Sequence, residues 1–242
     1  MTGAPLLSLA GVHTHIGQYH ILQGIDLEVP RGGLTVLLGR NGAGKTTTLK
    51  TVMGLLQPSQ GQVLFRGEAI GGRSTHAIAR GGIAYVPEDM GIFAGLTVKE
   101  NLVLAARSGP FDPARLDWLV TLFPPLRKFW EAPAGVLSGG QKQMLSIARA
   151  MIEPRELLLV DEPTKGLAPA IITAMIDAFR ELKRSETTVL LVEQNFLFAS
   201  SLGDTVAVVD DGRTVHRGTM ADLVADTALQ ERLLGLSLEG HG

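Results

Sequence analysis

The 242-residue chain contains no cysteine, which rules out disulfides and cysteine-ligated zinc and fits a reducing compartment. It also lacks an excess of basic charge. Its 22 Lys and Arg against 24 Asp and Glu leave a formal charge of −2, so composition offers no face for nucleic acid, and no such partner is expected. No apolar run approaches the roughly 20 residues of a membrane-spanning helix. The opening MTGAPLLSLAGVHTHIG has neither the charged start nor the sustained apolar run of a signal peptide. The expectation is a chain that does not cross a membrane by itself. Internal repeats, low-complexity tracts and heptad runs are missing too. What is there, a 45% hydrophobic composition, is ample for a buried core.

The organisation follows from periodicity and punctuation. LLSLAGV, IDLEVP and QVLFRGEAI are short strand-like runs broken by Gly and Pro, suited to a small antiparallel sheet. LTVLLG is a continuous apolar strand that runs into a glycine-rich loop. KTTTLKTVMGLL follows, with Leu49, Val52, Met53 and Leu56 at helical spacing. From Glu88 to Gly135 the pattern is helical, with loops around RSGPFDPARL and EAPAG, and reads as an inserted lobe. Two further buried strands, ELLLVD and TTVLLVE, flank a helix from Ile171 to Lys183. TVAVVDDGRTVHRG reads as a hairpin turning at Asp211-Gly212, and one helix from Met220 to Leu234 follows it. This alternation predicts an α/β fold with a mainly parallel sheet covered by helices. We expect a single domain over 1–242. Residues 1–87 and 151–242 would form an N-terminal antiparallel β subdomain plus the sheet core, and 88–150 a helical subdomain.

GRNGAGKTT, Gly39 to Thr47, satisfies G-x-x-x-x-G-K-S/T. Along Gly39, Asn41, Gly42, Ala43 and Gly44 the three glycines let backbone N–H groups approach phosphates at the positive end of a helix. Lys45 neutralises β and γ oxygens, Thr46 is able to ligate Mg²⁺, and Thr47 extends the cradle. An accidental glycine turn is the competing explanation, and the buried strand before the loop and the helix after it argue against that. The predicted ligand is a nucleotide.

LLLVDEP places Asp161 and Glu162 at the carboxyl end of a buried parallel strand, the edge where such sheets bind ligands. Asp161 would hold Mg²⁺, usually through water, and Glu162 would polarise a water attacking the γ-phosphate. Two carboxylates that merely cap a strand are the alternative. The phosphate loop earlier in the chain favours the catalytic role.

LSGGQ, Leu137 to Gln141, opens another helix. Ser138 and Gln141 are spaced as a capping box, and Met144, Leu145, Ala148, Met151 and Ile152 form the apolar face of that helix until Pro154. A capping box needs no paired glycines, however. Gly139 and Gly140 expose backbone N–H groups as an anion site would, and one nucleotide cannot easily use both loops of one chain. Two chains head to tail could share two nucleotides, each between Lys45 of one and Ser138 of the other.

GRNGAGKTT, LSGGQ and LLLVDEP, in this order, resemble the Walker A, signature and Walker B motifs of the ATP-binding subunits of ABC transporters, and the resemblance covers essentially the whole chain. It implies a P-loop ABC-type ATPase with ATP and Mg²⁺, a second ATPase subunit, identical or paralogous, and transmembrane permease subunits. It also implies a peripheral position on the cytoplasmic face of the cell membrane. Ser138, Gly139, Gly140 and Gln141 would serve the partner's ATP. YVPEDMGIFAGLTVKENL, DEPTKGLAP and LLVEQN are similar to the branched-chain amino acid importer ATPases, a group with relatives that move urea and short amides, which adds a substrate-binding protein as an indirect partner. Glu88 takes the position of the Q-loop glutamine and Gln194 that of the switch histidine, as in that subfamily. The resemblance assigns Glu88 to Mg²⁺ or water and Gln194 to an amide hydrogen bond with the γ-phosphate. The family's adenine-stacking aromatic aligns with Ile16. Tyr19 or His15 is expected to stack instead, or Ile16 gives apolar contact alone.

Other residues are read as structural. His13 and His15 alternate on one strand, with no third metal ligand beside them. Trp118, Phe123, Phe129 and Trp130 suit core packing, with a membrane-partner surface as the alternative. The segment from Met90 to Asn101 is the better candidate for that surface, since it follows Glu88 directly. A soluble ABC ATPase of DNA repair or translation would carry a long coiled-coil insertion or a second cassette, and neither is present. A small nucleotide kinase would leave LSGGQ unexplained.

Overall fold

A computed structural model of the chain describes residues 3–106, 109, 111–185 and 187–235. Its central six-stranded sheet runs β10-β9-β3-β8-β7-β6, built from β3 (Leu34–Leu38), β6 (Ile83–Val86), β7 (Leu157–Asp161), β8 (Thr188–Glu193), β9 (Thr205–Asp210) and β10 (Arg213–Thr219). All neighbours are parallel except β9 and β10, which form the expected hairpin. Asp211 and Gly212 turn that hairpin with φ of 44° and 70°, the left-handed pair that a two-residue connection demands. The strands β3, β7 and β8 are buried throughout because both faces of the sheet are covered, which explains their unbroken apolar runs.

Alternation sorts their side chains into two cores. Leu34, Val36, Leu38, Leu158 and Val160 face a helical layer, and Leu37, Leu157, Leu159, Leu190 and Val192 face the other side. The helical layer comprises α3 (Val98–Ala105), α4 (Pro113–Leu122), α5 (Pro124–Lys128), α6 (Gly139–Met151), α7 (Pro169–Arg184) and α8 (Phe196–Ser200). The opposite core holds α1 (Lys45–Val52), α2 (Thr75–Arg80) and a four-stranded antiparallel sheet. That sheet runs β2-β1-β4-β5, from β1 (Leu7–Ile16), β2 (Tyr19–Val29), β4 (Pro58–Phe65) and β5 (Glu68–Ala69). Each fully buried Leu in these cores contributes about 1.5–3 kcal/mol relative to exposure.

Several expectations shift. IDLEVP is the end of a strand that starts at Tyr19, and QVLFRGEAI is divided into β4 and β5 by a turn at Arg66 and Gly67, with φ of 55° and 79°. The chain from Pro87 to Leu96 is loop, so the helical run starts ten residues later than Glu88, at Val98. Within RSGPFDPARL, Arg107, Ser108 and Pro110 lie outside the described residues, and α4 already begins at Pro113, capped by Asp112. The expected C-terminal helix is two, α9 (Met220–Ala225) and α10 (Thr227–Leu234). Asp226 leaves helical geometry and accepts from the Leu229 amide, so it starts the second helix rather than continuing the first. The short elements α2 and β6 had no counterpart in the sequence reading.

Candidate functional site

The phosphate loop lies between β3 and α1, at the carboxyl edge of the parallel sheet. A side chain on Gly39 would collide with the carbonyl of Val209. One on Gly44, where φ is 107°, would meet Leu22 at 2.8 Å. Both positions therefore require glycine. Lys45 is buried and turns back along the loop, donating to the carbonyls of Gly39 at 2.9 Å and Arg40 at 3.0 Å. Its Nζ also stands 3.3 Å from Oε1 of Glu162, a buried ion pair. Ala43 is buried behind the loop, where its carbonyl accepts from the Gly212 amide at 3.0 Å.

Asp161 ends β7 facing α1. Thr46 Oγ1 donates to its Oδ1 at 3.1 Å, and the Tyr85 hydroxyl, from β6, donates to its Oδ2 at 3.1 Å. Burial pushes the Asp161 carboxyl above the ordinary carboxylate range, offset by these two hydrogen bonds. Burial, then the neighbouring Asp161 charge, pushes the Tyr85 phenol up, so Tyr85 stays a donor. Glu162 follows with a left-handed φ of 45°, uncommon for a non-glycine residue, and its amide still donates to Val192 at 2.9 Å. Gln194 Nε2 donates to Glu162 Oε1 at 2.6 Å. Glu88 pairs with Lys165, which also approaches Glu162 at 4.0 Å. The hydrogen bond and charge of Glu88, and more weakly Glu162, raise the Lys165 ammonium above its ordinary value.

A cleft of about 350 Å³ is lined by Asn41, Gly42, Gly44, Lys45, Thr46, Thr47, Glu88, Glu162 and Lys165, with Ile16 and Ile21 at its apolar side. Adjoining it, about 660 Å³ of open space lies between Thr46, Tyr85, Glu88 and Asp161. Gly39, Asn41 and Gln194 border a third hollow with Phe196 and Leu234.

Tyr19 does not line the cleft: it is exposed at the turn opposite Ile16. The family resemblance suggests a stacking aromatic here, but the pairing of β1 with β2 turns Ile16 and Ile21 to the cleft instead. His15 also points elsewhere, stacked on His20 with ring centroids 4.2 Å apart, while His13 bonds His20 at 3.0 Å. Among the described residues no cluster of His, Cys, Asp and Glu is arranged to hold a metal ion by itself. Phe123 is buried, and Trp118, Phe129 and Trp130 pack partly buried against the helical core.

Ser138, Gly139, Gly140 and Gln141 line none of these three hollows. They open α6 with a complete capping box, Ser138 Oγ accepting from Gln141 N and Gln141 Oε1 from Ser138 N. Ser138 and Gly139 are exposed and Gly140 is buried. Sequence reasoning missed Tyr85, Lys165 and Glu193. Tyr85 sits in a four-residue strand too short to signal itself. Lys165 was quoted only within DEPTKGLAP, although a cation three residues after Glu162 was the available signal.

A strand, a glycine loop and a helix, facing an acidic strand end across a cleft, define a P-loop nucleotide-hydrolase site. The model of the ABC transporter family matches residues 22–165. The chain is 39% identical over 232 residues to the high-affinity branched-chain amino acid transport ATP-binding protein BraG of Pseudomonas aeruginosa, covering 95% of this chain and 100% of that protein. It is 35% identical over 222 residues to the probable branched-chain amino acid transport ATP-binding protein LivF of Archaeoglobus fulgidus, covering 90% and 94%. A solved ATP binding subunit of an ABC transporter superposes with a TM-score of 0.78 at 30% identity, over 97% of this chain and 96% of that one. The chain belongs to the ABC transporter family, as an ATP-binding, ATP-hydrolysing subunit.

Proposed function

We propose that the chain is the ATP-driven motor of an importer for branched-chain amino acids or related amino acids and amides. It would work on the cytoplasmic face of the cell membrane with permease subunits, a second ATPase chain and, indirectly, a substrate-binding protein. The full-length likeness to BraG carries the substrate class. Among the described residues no helix is long and apolar enough to cross a membrane, so the permeases would supply the path.

In this reading Lys45 neutralises the β and γ oxygens, while the backbone from Gly39 to Gly44, with Thr46 and Thr47, cradles the phosphates. Mg²⁺ fits the donors present: Thr46, Asp161 and Glu88 offer only hydroxyl and carboxylate oxygens, and this ion keeps waters and phosphate oxygens in its remaining positions. It would neutralise charge on the β and γ oxygens. Glu162 polarises the attacking water, and Gln194 donates its amide to the γ-phosphate. The reading is supported by the 2.6 Å contact between these two side chains. Ser138, Gly139, Gly140 and Gln141 serve the nucleotide of the second chain. Their distance from the cleft's lining in a single chain is what a shared site requires.

The test is the solution mass of Glu162→Gln with and without MgATP. The expected result is a mass that doubles with MgATP and stays single when Ser138→Arg is added. A chain that binds no ATP overturns the reading, and one that binds ATP but stays single assigns the second half-site to a paralogue. Uptake of leucine by cells lacking this gene, restored by the parent chain and not by Lys45→Ala, tests the substrate class.

A further inference from the structure

Glu193 is a carboxylate, 2% exposed, at the end of β8, and the nucleotide chemistry described above does not use it. No cation pairs with it among the ion pairs of the described residues. Its two oxygens instead accept four hydrogen bonds from two different loops. Oε1 takes the Thr164 amide at 3.1 Å and the Thr164 hydroxyl at 2.7 Å. Oε2 takes the Gln194 amide at 3.0 Å and the Asn195 amide at 3.1 Å. Burying a carboxylate is costly unless such donors surround it.

These loops carry the two side chains of the hydrolytic pair. Thr164 lies two residues after Glu162, whose left-handed backbone is held only if its surroundings over-determine it. Gln194 is the next residue after Glu193, and its amide reaches back to Glu162. One buried carboxylate thus fixes both ends of the Glu162–Gln194 contact. Glutamine at position 193 would keep the size but turn an NH₂ towards N–H donors on one side, so one loop would lose its anchor.

We propose that Glu193 is a positioning residue for ATP hydrolysis, clamping the turn after Glu162 to the loop of Gln194 so that the attacking water meets both side chains. The proposal rests on the roles given above to Glu162 and Gln194. Because the Glu193 side chain's four hydrogen bonds go to Thr164, Gln194 and Asn195 and none to the loop glycines or Lys45, its loss should spare nucleotide binding.

The experiment measures kcat and the Kd for ATP separately, in the full chain, for Glu193→Gln, Thr164→Val and the double variant. Circular dichroism confirms folding. For Glu193→Gln the expected fall in kcat is about 10- to 100-fold, the scale of a small misplacement at a reacting centre, with Kd changed less than about threefold. Thr164→Val, which removes one of the four donors, should lower kcat by a smaller factor, and the double variant should fall no further than Glu193→Gln alone. A folded Glu193→Gln with parental kcat, or a loss confined to Kd or thermal stability, overturns the proposal. If Glu193→Gln does not fold, Thr164→Val decides: a parental kcat there overturns it equally. Glu162→Gln separates the two levels. If that variant still hydrolyses ATP, the reading of Glu162 fails and takes this one with it. If it is inactive while Glu193→Gln is parental, only the clamp fails.

Discussion

Gln194 and Glu162 are joined by one hydrogen bond of 2.6 Å, from the amide Nε2 to the carboxylate Oε1 that also faces Lys45 at 3.3 Å. An amide cannot change charge between pH 5 and 8, whereas an imidazole in its place would. Gln194 itself therefore adds no charge change at this contact across that range.

The wild-type pH profile of kcat should show no acid limb arising at position 194. Gln194→His should add a titration step near pH ~6.5, the ordinary histidine value, and Gln194→Ala should lower kcat at least about tenfold by removing a donor to developing charge. Steady-state ATPase assays between pH 5 and 8.5 check this. A Gln194→His profile superimposable on the parent's would show that the residue's charge is irrelevant to the reaction.

Ile16 and Ile21 make one side of the cleft aliphatic, and in the proposed reading the base would lie against them. Tyr19→Ala should leave the Kd for ATP within about twofold, because the ring is exposed outside the cleft. Ile16→Tyr places an aromatic where Ile16 now lines it. Stacking adds about 0.5–1.5 kcal/mol beyond area burial, so binding should tighten about 2- to 12-fold. Calorimetric titration with ATP and with GTP measures both changes and shows whether the isoleucines discriminate between bases.

Much of this site was legible because its chemistry needs fixed residue types at fixed offsets. Gly39, Gly44, Lys45 and Thr46 fall where a phosphate loop requires them, and Asp161 and Glu162 end a run too apolar to be anything but a buried strand. What escaped depends on pairing across the chain. The register shifts between β1 and β2 decide whether Ile16 or Tyr19 faces the cleft, and no local pattern fixes a bulge. Tyr85 acquires its role only because β6 lies beside β7 and brings the phenol to Asp161. Glu193 looked like an ordinary strand end, since its four donors come from two loops, one of them about thirty positions earlier. The break at Asp226 escaped because an aspartate inside a helical pattern and one that caps a new helix look alike until the backbone turns.

The entry to α3 should respond to acid. Thr97 Oγ1 accepts from Glu100 N at 3.1 Å, and Glu100 Oε2 accepts from Thr97 N at 2.8 Å. The second bond and a further one from the Thr97 hydroxyl hold the Glu100 carboxyl below its ordinary value. A carboxyl lowered by folding contributes stability that is present above its unfolded value, about 4.3, and is lost as pH falls through the lower folded value. Glu100→Gln should therefore be less stable than the parent at pH 7, with the difference closing as pH falls below about 4. Thr97→Ala removes the cap outright and should cost about 1 kcal/mol. Urea unfolding at both pH values measures each.

Gly139 and Gly140 should separate by what they serve. A Cβ on Gly140 would lie 2.5 Å from Ile171 Cγ2 and 3.2 Å from its Cγ1, on a side chain that packs against the helical core. The second glycine thus lets α6 approach the start of α7. Gly140→Ala should destabilise the monomer by about 1–3 kcal/mol, the cost of overpacking. A Cβ on Gly139 meets only Leu167, at 3.9 Å, so Gly139→Ala should leave the monomer as stable or gain up to about 1 kcal/mol from its helical backbone. That Cβ would stand on the exposed end of α6, however, where the second chain's phosphate would approach. Placed in the Glu162→Gln background, Gly139→Ala should therefore weaken MgATP-dependent doubling of mass while leaving ATP binding and thermal stability intact. If it dimerises as readily as its parent, the exposed glycine has no part in a shared nucleotide site.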